Sequence, residues 1–228
     1  MAKAISLWIG LWLLIALDVA RAGAWMAEEG SGFAAAQVTL RDSPDGIREE
    51  FGFYGDMSLA GKLDLGIDLN QSASTSGHAL IFVRLPLHQP TRGLRFSAEM
   101  ALGGSHVEGD WEAMWRFKIS AGGNFEKSRW IDWANLDLSH EKRGHSAHGL
   151  WKLDLSLGKH LPGRLSPMLQ IETSKGPGQD FSYSIIPALR IKLGTVTPSA
   201  PKEMVLGLEY KNAQTESLGL RIAYWHRF

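Results

Sequence analysis

The chain has 228 residues, with 24 basic and 24 acidic side chains and no cysteine. That length holds one domain or two, and the balanced charge gives no global pull toward nucleic acid or acidic lipid. Without cysteine there are no disulfides, thiolate metal sites or cysteine nucleophiles, so backbone pairing and packing alone must hold the fold.

The first segment has the order of a secretory signal. Lys3 supplies a positive charge, Ile5 to Leu17 is apolar almost without a break, and Ala20-Arg21-Ala22 sets small residues on either side of Arg21, as a cleavage site requires. The apolar run is shorter than the roughly 20 residues a helix needs to cross a bilayer. Cleavage after Ala22 is expected. It divides the chain into a signal peptide, 1–22, and a mature domain, 23–228, that begins Gly23-Ala24-Trp25.

The mature sequence alternates with period two, the signature of strands that have two different faces. From Lys62 to Asn70, Leu63, Leu65, Ile67 and Leu69 share one face, while Asp64, Gly66, Asp68 and Asn70 share the other. Trp115 to Gly122, Trp151 to Gly158 and Phe181 to Gly194 repeat the pattern. Weaker alternation runs through Phe33–Leu40, Arg48–Ser58, Gly77–Leu85, Leu94–Leu102, Trp130–Ser139, Leu165–Thr173, Glu203–Tyr210 and Ser217–Phe228. The breaks carry turn residues, as in Ser43-Pro44-Asp45-Gly46, Gln89-Pro90-Thr91-Arg92-Gly93 and Gly176-Pro177-Gly178. No stretch of the mature chain argues for a helix. The expected fold is all-β: a closed antiparallel transmembrane β-barrel of about 12 strands, or 10 if a weak strand such as Phe33–Leu40 is a plug or linker.

A soluble sandwich would alternate as well, because one face packs a core. The charges favour the membrane. One face of the best strands is almost uncharged. The other carries Arg84, Arg95, Arg116, Lys118, Lys152, Arg190, Lys192 and Arg221 against Glu50, Asp64, Asp68, Glu99, Asp137, Asp154, Glu172 and Glu209. Both signs in equal number suit an interior laced with ion pairs. Trp111, Trp130, Trp151, Phe181, Tyr210 and Trp225 stand near strand ends, where aromatic girdles meet the bilayer surface. The hydrophobic content of 44 % is too low for a bundle of membrane helices but suits strands that average polar with apolar.

Catalytic and metal chemistry find little support. Ser139-His140 and His145-Ser146 offer a hydroxyl beside a base, with Asp137 to orient it, but neighbours on a strand point to opposite faces. His140, His145, His148 and Glu141 cluster without a tight ligand spacing, which reads as a solvated loop. Gly103-Gly104 and Gly122-Gly123 precede no helix and mark turns or close backbone approach rather than a phosphate cradle. No catalytic residue, metal site or cofactor is expected. Nucleic acid is not an expected partner either, because basic and aromatic residues do not cluster.

The last strand is the most specific motif. Back from Phe228, alternate positions are His226, Tyr224, Ile222, Leu220 and Leu218. This resembles the sorting signal read by the outer-membrane barrel-assembly machinery, with Gly219, Tyr224 and Phe228 as its residues; His226 departs from the usual apolar type. Gly23 to Gly32, Phe82-Val83-Arg84-Leu85-Pro86-Leu87 and Leu206-Gly207-Leu208-Glu209-Tyr210 resemble a group of small proteobacterial outer-membrane proteins similar to a phenol-degradation-pathway transporter group. The resemblance implies a fold and an outer-membrane location, with lipid and lipopolysaccharide as surroundings. It implies no catalytic residues.

With the mature N-terminus in the periplasm, the outer loops are Arg41–Gly46, Asn70–Ser76, Gly103–Asp110, His140–Gly149, Ser174–Asp180 and Lys211–Glu216. All are too short to fold inward as a constriction. The expected function is a narrow channel for small solutes. A non-conducting structural or interaction barrel is the alternative, and a lipid-modifying enzyme is a minor one. Deleting Phe228 should lower the yield of heat-modifiable, membrane-inserted barrel several-fold in an expressing Gram-negative host; an unchanged yield would remove the sorting role.

Overall fold

The computed structural model describes residues 23–43, 46–59, 62–73, 75–125, 128–194 and 202–228. The expected signal segment, 1–22, lies outside them. Twelve strands form the fold: β1 (Gly32–Ser43), β2 (Gly46–Leu59), β3 (Leu63–Ser72), β4 (Ser76–His88), β5 (Leu94–Val107), β6 (Asp110–Asn124), β7 (Trp133–Arg143), β8 (Leu150–Gly158), β9 (Leu165–Lys175), β10 (Ser182–Leu193), β11 (Lys202–Asn212) and β12 (Glu216–Arg227). Each strand pairs antiparallel with its sequence neighbours, and β1 pairs with β12 to close the ring. No helix among the described residues is long and apolar enough to cross a membrane. Phe33–Leu40, which sequence alone left open as a plug, is strand β1, so the count is twelve.

Closure is continuous to the last residue. Phe33 to Arg41 pairs with Arg227 to Gly219. Gly32 N–H donates to Phe228 O at 2.7 Å, and Phe228 N–H donates back to Gly32 O at 3.1 Å. A Cβ on Gly32 would lie 2.6 Å from the Phe228 ring, so glycine is required where the ends meet.

The alternation sorts side chains between two solvents. Leu65, Ile67, Leu69, Ile81, Val83, Phe117, Ile119, Leu136, Leu138, Leu153, Leu189, Leu220 and Ile222 all lie open on the outer surface. An apolar face that goes right round the molecule exceeds any patch a water-soluble monomer tolerates, and it is the band that lipid covers in a transmembrane barrel. The buried charges, among them Asp64, Arg84, Glu99, Arg190 and Glu209, all sit inside. Aromatic side chains cap the band. Trp111, Trp151 and Phe181 stand outward at the rim away from the termini, and Tyr224 and Phe228 stand outward at the terminal end.

Two aromatic assignments change. Trp225 faces inward, opposite Ala35 and Glu203, and packs edge-on against Phe33 at 5.9 Å. Its neighbours Tyr224 and His226 occupy the outward parity. Trp130 lies in the β6–β7 connection, because the strand starts only at Trp133.

The strands also run further than the alternation predicts at the rim away from the termini. Gly103 and Gly104 lie within β5, and His140 to Arg143 lie within β7. A Cβ on Gly103 would fall on the Ala79 carbonyl oxygen, so this glycine marks close strand approach, not a turn. The β5–β6 hairpin turns on Glu108 (φ 51°) and Gly109 (φ 89°), the two left-handed positions that a type I′ turn needs.

If Ile67 faces hydrocarbon, Ile67→Arg should cost about 2–4 kcal/mol in denaturant titrations performed in phospholipid vesicles. A cost near zero would move Ile67 out of the bilayer.

Candidate functional site

The interior is built from paired charges held in register by the ladders. One lateral row runs across β3 to β6 as direct register partners: Asp64 with Arg84, Arg84 with Glu99, and Glu99 with Lys118. The sign alternates at every step, so each charge faces an opposite one across the ladder. Arg84 donates to Asp56 at 2.9 Å and Glu99 at 3.1 Å, lies 3.6 Å from Asp64, and also donates to the Tyr54 hydroxyl. Its guanidinium stands 5.4 Å from the Phe82 ring centroid. Glu99 is the hub. Besides Arg84 it accepts from Arg116 at 3.2 Å and pairs with Lys118 at 2.9 Å. Arg116 reaches on to Asp68 at 2.6 Å, and His78 lies 3.4 Å from the same carboxylate.

A second network occupies β1, β2, β9, β11 and β12. Arg221 donates to Glu172 at 2.5 Å and to Glu209 at 3.2 Å. Arg41 donates to Glu209 at 2.6 Å and pairs with Glu50. Elsewhere Lys152 pairs with Glu141 at 3.0 Å, and Arg190 lies 3.5 Å from Glu203 and 5.4 Å from the Trp133 ring centroid. Lys192 is the register partner of Glu203. Arg95 stands apart at the terminal end, donating to the Thr91 carbonyl at 3.4 Å.

The acids of β7 to β9 do not alternate. Asp137 is the register partner of Asp154, and Asp154 of Glu172. Glu172 has Arg221. Asp154 accepts the Thr173 N–H at 3.2 Å. Asp137 Oδ1 is shut off from solvent and has no hydrogen-bond partner among the described residues.

Between these walls lies a cavity of about 320 Å³, bordered by Asp68, Arg116, Lys118, Asp137, Lys152 and Asp154. Apolar packing flanks it: Leu80, Phe82, Ala101 and Met114 form one buried cluster, and Trp133, Met168, Ala188, Val205 and Ala223 another.

The terminal end of the cavity is occupied by the chain itself. Gly23, Ala24 and Trp25 are buried inside the barrel. Ala24 N–H donates to Asn135 Oδ1 at 3.0 Å, Ser97 Oγ donates to Gly23 O at 2.8 Å, and Gln89 Nε2 donates to Ala24 O at 2.7 Å. Ala27 N–H reaches Asp64 at 3.4 Å. Gly122 is a seat for Trp25: a Cβ there would lie 2.6 Å from the indole.

Below the band, Asp132 ties two connections together, accepting His160 N–H at 2.6 Å and Lys159 Nζ at 3.0 Å. Burial would raise its carboxyl pKa, but these two partners outweigh that and hold it below the usual range.

Sequence reasoning missed Arg41, Asp56, Glu141 and Glu203. Each has the inward parity of its strand; Arg41 and Glu141 lie beyond the point where the alternation in sequence stops, in β1 and β7. The inserted Gly23–Trp25 segment has no local signal. The serine–histidine pair does not assemble, since Ser139 is buried inside while His140 points outward between Trp115 and Trp151 at 5.3 and 4.6 Å. The histidine cluster disperses too. His145 sits at the exposed rim near Asp110 and Glu112, while Glu141 is turned inward to Lys152 and Arg143.

No family model and no curated protein matches the sequence. Among solved structures, the chain is similar to a NanC porin with 6% identity and a TM-score of 0.60, over 84% of this chain and 98% of that one. It is similar to a KdgM porin with 11% identity and a TM-score of 0.56, over 85% and 99%. A KdgM porin in complex with disordered oligogalacturonate gives 10% identity and a TM-score of 0.54, over 86% and 98%. At these identities the likeness is one of fold: a closed, antiparallel β-barrel.

Glu99 holds three cations, so Glu99→Gln should cost about 3–5 kcal/mol, the range for breaking a buried charge pair. Urea unfolding in vesicles checks this; a loss below about 1 kcal/mol would mean that water screens the cluster.

Proposed function

We propose that the protein is a narrow channel of the bacterial outer membrane for small polar solutes, stoppered at its periplasmic end by its own first residues. The observation that supports this best is the cavity of about 320 Å³ inside a closed, lipid-facing barrel, bordered by charges of both signs. A ring of mixed charge substitutes for lost hydration without trapping one sign of ion, which suits weak selectivity. The porin-type fold is in keeping with this role. In this reading the termini lie in the periplasm together with the two longest connections, β6–β7 and β10–β11. Export with cleavage of residues 1–22, sorting through Gly219, Tyr224 and Phe228, and kinship with the phenol-pathway transporter group belong to the same proposal.

A non-conducting structural barrel is the second reading. It draws on the packed interior, where Arg84, Arg190, Phe82 and Met114 are all at most 2 % exposed.

Planar-bilayer recordings separate the two. The wild-type barrel should give small conductance steps, and Trp25→Ala, which unseats the stopper from Gly122, should give larger ones. Silence from both proteins would reject the channel and leave the structural barrel. Neutralising Lys118 and Lys152 together should shift the reversal potential toward cation preference; an unmoved potential would place the ion path elsewhere.

A further inference from the structure

We propose that Asp137 is the binding site for a primary ammonium, and that the ammonium is the α-amino group of Gly23 released by signal cleavage. The inference rests on export and processing, not on conduction, so a barrel that passes nothing would still contain it.

Three observations converge. The first is charge: Asp137, Asp154 and Glu172 are register partners across three adjacent strands. Like charges directly opposite one another destabilise a ladder. Arg221 answers Glu172, but no described cation pairs with Asp137. The second is the unsatisfied atom. A carboxylate oxygen closed off from solvent with no partner carries an uncompensated desolvation cost, so Asp137 Oδ1 marks a place where a donor belongs. The third is position. The point one bond from Gly23 Cα where a Cβ would stand lies 2.5 Å from Asp137 Oδ1 and 2.7 Å from both side-chain atoms of Asn135. Gly23 N is bonded to the same Cα and is therefore within about 5 Å of that oxygen. Gly23 also sits at φ 65°, a left-handed backbone conformation that favours glycine at this seat.

The chemistry is a hydrolysis. A signal peptidase uses one water to break the Ala22–Gly23 peptide bond, leaving a carboxylate on Ala22 and an ammonium on Gly23. The amide nitrogen had one donor and no charge; the product has three donors and a positive charge. It supplies the cation that Asp137 lacks, while Ser97 Oγ and Asn135 Oδ1 already hold the next two peptide groups. Cleavage thus completes an interior ion pair and seats the stopper in one event.

The test uses the full precursor, expressed and purified from outer membranes. Intact mass should place the first residue at Gly23; any other start overturns the proposal. The folded protein is then treated with an acetylating N-hydroxysuccinimide ester at neutral pH, and Nα acetylation of the N-terminal peptide is followed by mass spectrometry. Ion-paired ammonium should react at least about tenfold more slowly than in the urea-unfolded wild type, since one unit of pKa elevation lowers the free amine tenfold. Asp137→Asn should remove that protection while the barrel remains heat-modifiable, and Asp137→Glu should keep part of it. Equal rates in folded and unfolded wild type overturn the proposal without needing any variant. Equal protection in wild type and Asp137→Asn also overturns it, by showing burial without pairing.

Discussion

A strand in hydrocarbon has no water to bond its backbone, so every N–H and C=O must find a partner within the sheet. That constraint dictates closure, and closure dictates the rest of this structure. The β1–β12 seam runs from Arg41–Gly219 to Phe33–Arg227 and is finished by the Gly32–Phe228 pair. Once the ring is shut, alternate residues fall into two compartments with no exchange between them. Apolar side chains meet lipid. Polar ones share a confined interior in which charge must be neutralised locally.

The interior meets that demand by ordering its charges rather than by excluding them. Buried ion pairs are weak evidence for stability, because desolvation offsets the attraction. Their stronger effect is on register. Asp64, Arg84, Glu99 and Lys118 alternate across four strands, and a slip of one residue on any of them would turn its charged side chain into lipid. The acids of β7 to β9 break the alternation, and that is where the N-terminal segment enters the barrel. On the proposal that Gly23 brings an ammonium there, fold and insertion answer one electrostatic requirement.

How far this was legible from sequence depends on the range of the interaction. Period-two alternation is local, so the twelve strands and the outward row Leu63, Leu65, Ile67 and Leu69 could be read directly. Strand ends were less readable, because Gly103, Gly104 and His140 have turn or loop character and are held in strands by their neighbours. Ending the strands early hid Arg41 and Glu141. Trp225 looked like a girdle residue by its place near a terminus, yet parity with Tyr224 and Phe228 already assigned it inward. Pairings such as Arg221 with Glu172 depend on which strands close on which. The insertion of Gly23 to Trp25 was not legible at all, since its partners Ser97, Gln89 and Asn135 lie on three other parts of the chain.

The inserted residues remain joined to β1 through Met26 to Ser31. A blocker carried on so short a leash cannot diffuse away. Its effective concentration at the seat is on the order of millimolar or above, so re-entry is unimolecular and independent of how much protein the membrane holds. On the proposed channel reading, an opening at that end is a brief excursion, timed by the rate at which the leash swings out and back rather than by encounter with a partner.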